Sequence, residues 1–282
     1  MRIVLSRHLS YCFGVRNTLT LVEDMLRENP DRAYYMLGHI VHNEHVIRSL
    51  QDKGLRIALD PDEIEAGATV IIPSHGASQA VFDRLAERGL TVIDATCPMV
   101  KVIHRRAKKL EADGYRPVII GDPKHDEVKG IAGHVGRAVI VRRPEDVTPG
   151  KFAGIARAGV VVQSTFIRAE AVAVLAAVRR VVPVVRFEDT ICRPTTERQD
   201  EVREEADRAD CVLIVGSRSS ANTRHLFELA GGKKACVHLI DDPEKILDLG
   251  LEAYETVFIA SGASTPMEMV DKVVRLLEKG KA

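Results

Sequence analysis

Cys12, Cys97 and Cys192 each stand between the end of a short strand-like run and the start of a helical stretch, at intervals of 85 and 95 residues. The strand-like runs are Arg2–Leu5, Thr91–Ile93 and Val184–Phe187, and the helical stretches begin near Val15, Met99 and Thr195. Three thiolates delivered by three similar units can converge on one point. A metal cluster with one coordination position unfilled can be built that way. Cys211 and Cys236 lie inside strand-like runs and read as small core residues. Five cysteines without a C-x-x-C pair argue against a disulfide framework or a zinc ribbon, so reduced thiols are expected.

Six polar turns accompany the cysteines. The first set holds His42 and Asn43, then His125 and Glu127, then Ser219, Ser220 and Asn222. The second holds His75, then Gln163, Ser164 and Thr165, then Ser264 and Thr265. Neutral donors at helix amino ends can hold a phosphate without lysine, and imidazoles add positive charge when protonated. Each turn alone has a plainer reading: Gly262-Ala263-Ser264-Thr265-Pro266 is also a helix-capping signal. His39, His45, His104, His134 and His238 read as surface or packed residues. Recurrence in equivalent slots is what capping alone does not explain.

The elements that must position these residues follow one order three times. Short apolar runs such as Thr69–Ile72, Val118–Ile120, Val160–Val162, Cys211–Val215 and Thr256–Ile259 alternate with helical stretches, which argues for parallel sheets with crossover helices. The reading is an α/β fold of three pseudo-symmetric small units, 1–96, 97–191 and 192–282, arranged in a ring. The third pass lacks a final strand, and Arg2–Leu5 is left over to complete it. Ligands of open parallel sheets bind outside the carboxyl ends of strands, where the cysteines and polar turns fall.

The 40 basic and 40 acidic side chains cancel, so no global field favours nucleic acid or an anionic membrane surface. The longest apolar stretch, Ala171–Val178, is too short to span a bilayer. The amino-terminal residues read as a strand, without the apolar region of a signal peptide, and a cytoplasmic protein is expected.

Taken together, the motifs resemble those of the 4-hydroxy-3-methylbut-2-enyl diphosphate reductase (IspH/LytB) family over essentially the whole chain. They are Tyr11-Cys12-Phe13-Gly14-Val15, Val41-His42-Asn43, Ser74-His75-Gly76, Asp94-Ala95-Thr96-Cys97-Pro98, His125-Asp126-Glu127-Val128-Lys129-Gly130, Gln163-Ser164-Thr165, Thr190-Ile191-Cys192, Arg198-Gln199, Ser219-Ser220-Ala221-Asn222 and the 262–266 run. The resemblance implies a trefoil-like fold around a [4Fe-4S] cluster held by Cys12, Cys97 and Cys192, with one iron open to a substrate hydroxyl. It implies that His42, His75, Ser220, Asn222 and Ser264 contact a diphosphate, and that His125 and Ser164 lie at the ligand. Glu127 would supply protons for loss of the hydroxyl as water. The implied reaction is a two-electron reductive dehydroxylation, giving isopentenyl and dimethylallyl diphosphates in the non-mevalonate pathway, with a ferredoxin or flavodoxin as electron donor. The chain departs from the family pattern at Ser164, usually threonine, at Ser10, usually glycine, at Asp126, usually proline, and at Pro73. A paralogue reducing another allylic or phosphorylated alcohol, and a non-catalytic iron–sulfur or phosphate-ligand sensor, are the competing readings.

Overall fold

The computed structural model describes residues 1–38, 43–232 and 236–280. Its contacts divide the chain into two compact units, one of residues 1–16, 41–49 and 193–282, the other of 17–40 and 50–192.

The first unit carries β1 (Arg2–Leu5), β10 (Cys211–Val215), β11 (Val237–Ile240) and β12 (Thr256–Ser261), in the order β11-β10-β12-β1 and parallel throughout. The strand that the third pass lacks therefore comes from the other end of the chain, with Arg2 opposite Thr256 and Leu5 opposite Ile259. Alternation decides which face each residue serves. Cys211, Leu213, Val215, Val257 and Ile259 pack with α9 (Met267–Lys279) through Val270, Val273 and Leu277. Val212, Ile214, Phe258 and Ala260 pack with α7 (Arg193–Arg208) and α8 (Ala221–Gly231) through Val202, Ala206, Leu226 and Ala230.

The second unit holds two sheets of the same plan. β2 (Tyr34–Leu37), β3 (Leu55–Ala58), β4 (Thr69–Ile72) and β5 (Thr91–Asp94) run β3-β2-β4-β5. β6 (Arg116–Ile120), β7 (Val139–Val141), β8 (Arg157–Val162) and β9 (Val184–Phe187) run β7-β6-β8-β9. Their partners in register are all parallel. In the latter sheet Val118, Ile120, Val160 and Val162 face α6 (Arg168–Val181), while Ile119 and Val161 face α4 (Pro98–Ala112) and α5 (Asp126–Ala132). The remaining α-helices among the described residues are α1 (Phe13–Glu28), α2 (Glu44–Asp52) and α3 (Gln79–Glu87). The three parallel-sheet units expected from the repeat are present. No described helix is long and apolar enough to cross a membrane.

Three elements of the repeat carry little signal in the sequence. β3 is a four-residue strand with Arg56 exposed, too short to show a period. α5 is seven residues long and carries Gly130, an unfavourable helix residue that here lies against the Ala77 backbone. α8 follows a polar turn and mixes buried Asn222, Thr223 and His225 with its apolar residues, which blurs its stripe.

Two contacts in the first unit brace the loop ahead of Cys12. Glu201, 4% exposed, accepts Ser6 Oγ–H at 2.6 Å, Arg7 N–H at 2.9 Å and Arg7 Nε–H at 3.0 Å. Burial pushes its carboxyl pKa up, but these donors outweigh that and hold it below the usual range. This contribution to stability is present above the unfolded carboxyl pKa of about 4.3 and is lost as pH falls through the lower folded value. Glu201→Ala orphans a buried hydroxyl and an amide, and is expected to cost about 2–3 kcal/mol at neutral pH, measured by urea unfolding. The difference from the parent should shrink in acid.

Ser10 adopts φ +64°, the only positive φ outside glycine among the described residues. Its N–H donates to Ser261 Oγ at 2.7 Å, and Arg198 Nη2 donates to its carbonyl at 2.9 Å. Those bonds hold a conformation that glycine would take without penalty. Ser10→Gly should raise stability by about 0.5–1 kcal/mol, the left-handed cost less the added freedom of the unfolded chain. A higher urea midpoint at unchanged slope would show it.

Candidate active-site residues

The three cysteines share one backbone bond. Cys97 N–H donates to Ser74 O at 2.9 Å, Cys192 N–H to Ser164 O at 3.0 Å and Cys12 N–H to Ala263 O at 3.0 Å. Each acceptor is the second residue beyond its strand, β4, β8 or β12. A second recurrence matches it: Gly38, Gly121 and Gly216, each following β2, β6 or β10, donate to Ala58, Val141 and Ile240. The two turn sets therefore follow the two central strands of each sheet, where the crossovers change direction and open sheets bind ligands. Cys12 O and Cys97 O accept from Arg16 and Lys101, the opening bonds of α1 and α4. All three cysteines are partly exposed and carry no disulfide. Their helix amino ends favour negative charge.

In the second unit, Glu127 and Ser164 meet across the β6 and β8 turns. Glu127 is 3% exposed, its Oε1 accepting Ser164 N–H at 2.6 Å and its Oε2 accepting Ser164 Oγ–H at 2.7 Å. Burial raises the Glu127 pKa, and the two Ser164 bonds pull back only part of the rise. Its protonated form therefore persists to higher pH than that of an exposed carboxyl. His125 caps α5, its Nδ1 accepting Glu127 N–H at 3.2 Å. His75 Nε2 lies 3.9 Å from Asp126 Oδ2. Asp126 thus brings a carboxylate to an imidazole and, through Lys129 at 2.9 Å, closes a first-turn ion pair.

In the first unit, Ser220 caps α8 and accepts Thr223 N–H at 3.4 Å. Ser264 Oγ–H points to Ser220 Oγ at 3.3 Å, and Asn43 Nδ2 donates to Ser264 O at 3.1 Å. Asn222 is 5% exposed, and neither its Oδ1 nor its Nδ2 has a partner among the described residues. A buried amide left unpaired costs about 1–3 kcal/mol, so this one is open to a hydrogen-bonding partner. Tight turns support the cluster: a Cβ on Gly262 would overlap Thr223 Oγ1, and Gly216 has φ +144°. His42 lies outside the described residues.

Two readings of isolated residues divide. His104 and His134 are packed against each other, ring centroids 4.2 Å apart, and burial pulls the His104 pKa down to about 4. Cys211 and Cys236, expected as separate reduced core thiols, are joined in a disulfide with Cα atoms 4.8 Å apart. The pairing follows from register, since Val212 stands opposite Val237 and each cysteine precedes its valine. The repeated Cys-Val at the heads of two strands was the signal that could have found it.

A three-sheet α/β protein with a cysteine tied to a polar turn at three equivalent places, and a buried acid at one of them, defines a narrow class. The chain belongs to the LytB protein family, whose model matches residues 3–278. It is 35% identical over 277 residues to the 4-hydroxy-3-methylbut-2-enyl diphosphate reductase of Dechloromonas aromatica (strain RCB), covering 97% of this chain and 90% of that one. To the same-named protein of Aquifex aeolicus (strain VF5) it is 32% identical, covering 96% and 94%. Among solved structures, the E-1-hydroxy-2-methyl-but-2-enyl-4-diphosphate reductase of Plasmodium falciparum superposes with a TM-score of 0.92 at 25% identity, covering 98% of this chain and 87% of that one. A structure of (E)-4-hydroxy-3-methyl-but-2-enyl diphosphate reductase, described as the terminal enzyme of the non-mevalonate pathway, matches with a TM-score of 0.73 at 31% identity, covering 99% and 100%.

Proposed function

We propose that this chain is a 4-hydroxy-3-methylbut-2-enyl diphosphate reductase, an oxidoreductase of isoprenoid biosynthesis. The reaction takes two electrons and two protons, breaks the allylic C–O bond, releases water, and leaves isopentenyl or dimethylallyl diphosphate. The observation that carries this reading is the set of three cysteines held by the same backbone bond at equivalent strand ends.

That donor set fits an iron–sulfur cluster: three sulfurs, partly exposed, each preceding a helix. Cys12, Cys97 and Cys192 would hold a [4Fe-4S] cluster with three protein ligands and one iron open. When bound, it supplies a Lewis acid for the hydroxyl oxygen and a path for electrons. Around it, Glu127 holds the proton destined for the leaving oxygen. Ser164 orients that carboxyl through its N–H and Oγ–H and presents the hydroxyl to the ligand. His125 fixes the start of α5, which keeps Glu127 in place.

By the family resemblance, Ser220, Asn222, Ser264 and His75 bind the diphosphate. The unpaired Asn222 amide and two neighbouring hydroxyls suit phosphate oxygens, which accept without demanding lysine. His42 joins this set on the family resemblance alone. A ferredoxin or flavodoxin supplies the electrons, and the reaction runs in the cytoplasm.

The test is anaerobic reconstitution with iron and sulfide, Mössbauer spectroscopy, and addition of hydroxymethylbutenyl diphosphate with a reductant. One distinct iron site whose signal moves on adding substrate, with five-carbon diphosphate products, supports the reading. A cluster indifferent to that substrate, with no product, rejects it.

A further inference from the structure

The Cys211–Cys236 bridge lies outside the machinery described so far. The two residues stand at the amino ends of β10 and β11, whereas the polar turns leave the carboxyl end of β10 at Gly216. Five residue steps along the strand, about 16 Å, separate Cys211 from that glycine. The two sulfurs differ in access. Cys211 is fully buried, while Cys236 is partly exposed, with its Sγ 3.5 Å from His238 Nε2. Neighbouring parallel strands hold them opposite each other, so the rigid sheet keeps them together whether or not they are bonded.

We propose that Cys211 and Cys236 are a reversible dithiol–disulfide pair, whose oxidant is a low-molecular-weight disulfide and in which Cys236 reacts first. His238, next to the exposed sulfur, takes up the Cys236 proton. The resulting thiolate attacks one sulfur of the reagent, whose S–S bond breaks and releases one thiol. Cys211, reachable only from Cys236, then loses its proton and attacks Cys236 Sγ, expelling the second thiol. Two electrons and two protons pass to the reagent for one protein S–S bond formed, and a dithiol reductant reverses the exchange. The loop that the bond closes contains α8, and with it Ser220 and Asn222. None of Cys12, Cys97 and Cys192 lies within that loop.

The experiment uses the cluster-bearing protein, incubated anaerobically with oxidised glutathione, acid-quenched, alkylated under denaturing conditions and mapped by proteolysis. A Cys211–Cys236 cross-linked peptide should rise roughly tenfold over a sample held in dithiothreitol, and fall again when the folded, oxidised protein is returned to dithiothreitol. Cys211→Ala should retain glutathione on Cys236, and Cys236→Ala should leave Cys211 unmodified; the reverse pattern overturns the order of attack. Full alkylation of both cysteines after oxidised glutathione overturns the pair itself. A bridge that resists dithiothreitol in the folded protein overturns its reversibility. Bound zinc in the wild type that is lost in Cys236→Ala would replace the pair with a metal site. None of these readings depends on reductase activity, so the proposal stands or falls apart from the assigned reaction.

Discussion

Glu127→Gln should lower turnover at neutral pH by roughly 100-fold or more, because it removes the buried carboxyl proposed to hand a proton to the leaving oxygen. The amide retains the shape and can still accept Ser164 N–H, so ligand binding should change little. Steady-state rates and equilibrium binding of the substrate separate the two effects; near-parent turnover would remove Glu127 from the proton path. The pH dependence is more specific. Burial raises the Glu127 pKa, so its protonated form persists to higher pH than that of an exposed carboxyl. The parent enzyme should lose rate as pH rises through that value, and the residual activity of Glu127→Gln should lack this limb. Ser164→Ala deletes a hydroxyl donor that favours the carboxylate, so the limb should move to higher pH. Stability follows with the same sign. A raised folded pKa contributes stability below the unfolded value that is lost as pH rises through the folded one. Relative to the parent, Glu127→Gln should gain stability as the solution becomes more alkaline.

Cys12→Ser, Cys97→Ser and Cys192→Ser should each lower iron and acid-labile sulfide after reconstitution by roughly tenfold or more, since a serine hydroxyl is a poor substitute for a thiolate on iron. The backbone bonds to Ala263, Ser74 and Ser164 do not involve the side chain, so the loops should survive and circular dichroism should be unchanged. Cys236→Ser is the control, expected to keep the full iron content because its partner is Cys211. Equal iron loss in Cys236→Ser would erase the division between the two groups of cysteines. Loss confined to one or two of the three would show that the repeat is structural and that fewer thiolates suffice.

That division shows how far the chain could be read before folding. Cys12, Cys97 and Cys192 were legible because each falls in the same slot of a repeating strand–turn–helix order, and recurrence survives even where single motifs are weak. Cys211 and Cys236 were read one at a time. Their identical placement at strand heads acquires meaning only when β10 and β11 are known to be neighbours in register. β3, α5 and α8 escaped for a related reason: each is short or polar, and its stability comes from what it packs against.

Local chemistry by itself determined the three-fold repeat of elements, the parallel sheets, the cysteine trio and the polar turns, because side-chain type, periodicity and turn residues are properties of neighbouring positions. Tertiary structure decided the partners. It joined β1 to β12 across the whole length of the chain, laid both oxygens of Glu127 against Ser164, left the Asn222 amide buried without a partner among the described residues, and bonded Cys211 to Cys236. Burial and pairing depend on groups distant in sequence, and burial is what raises the pKa of Glu127 above that of an ordinary glutamate.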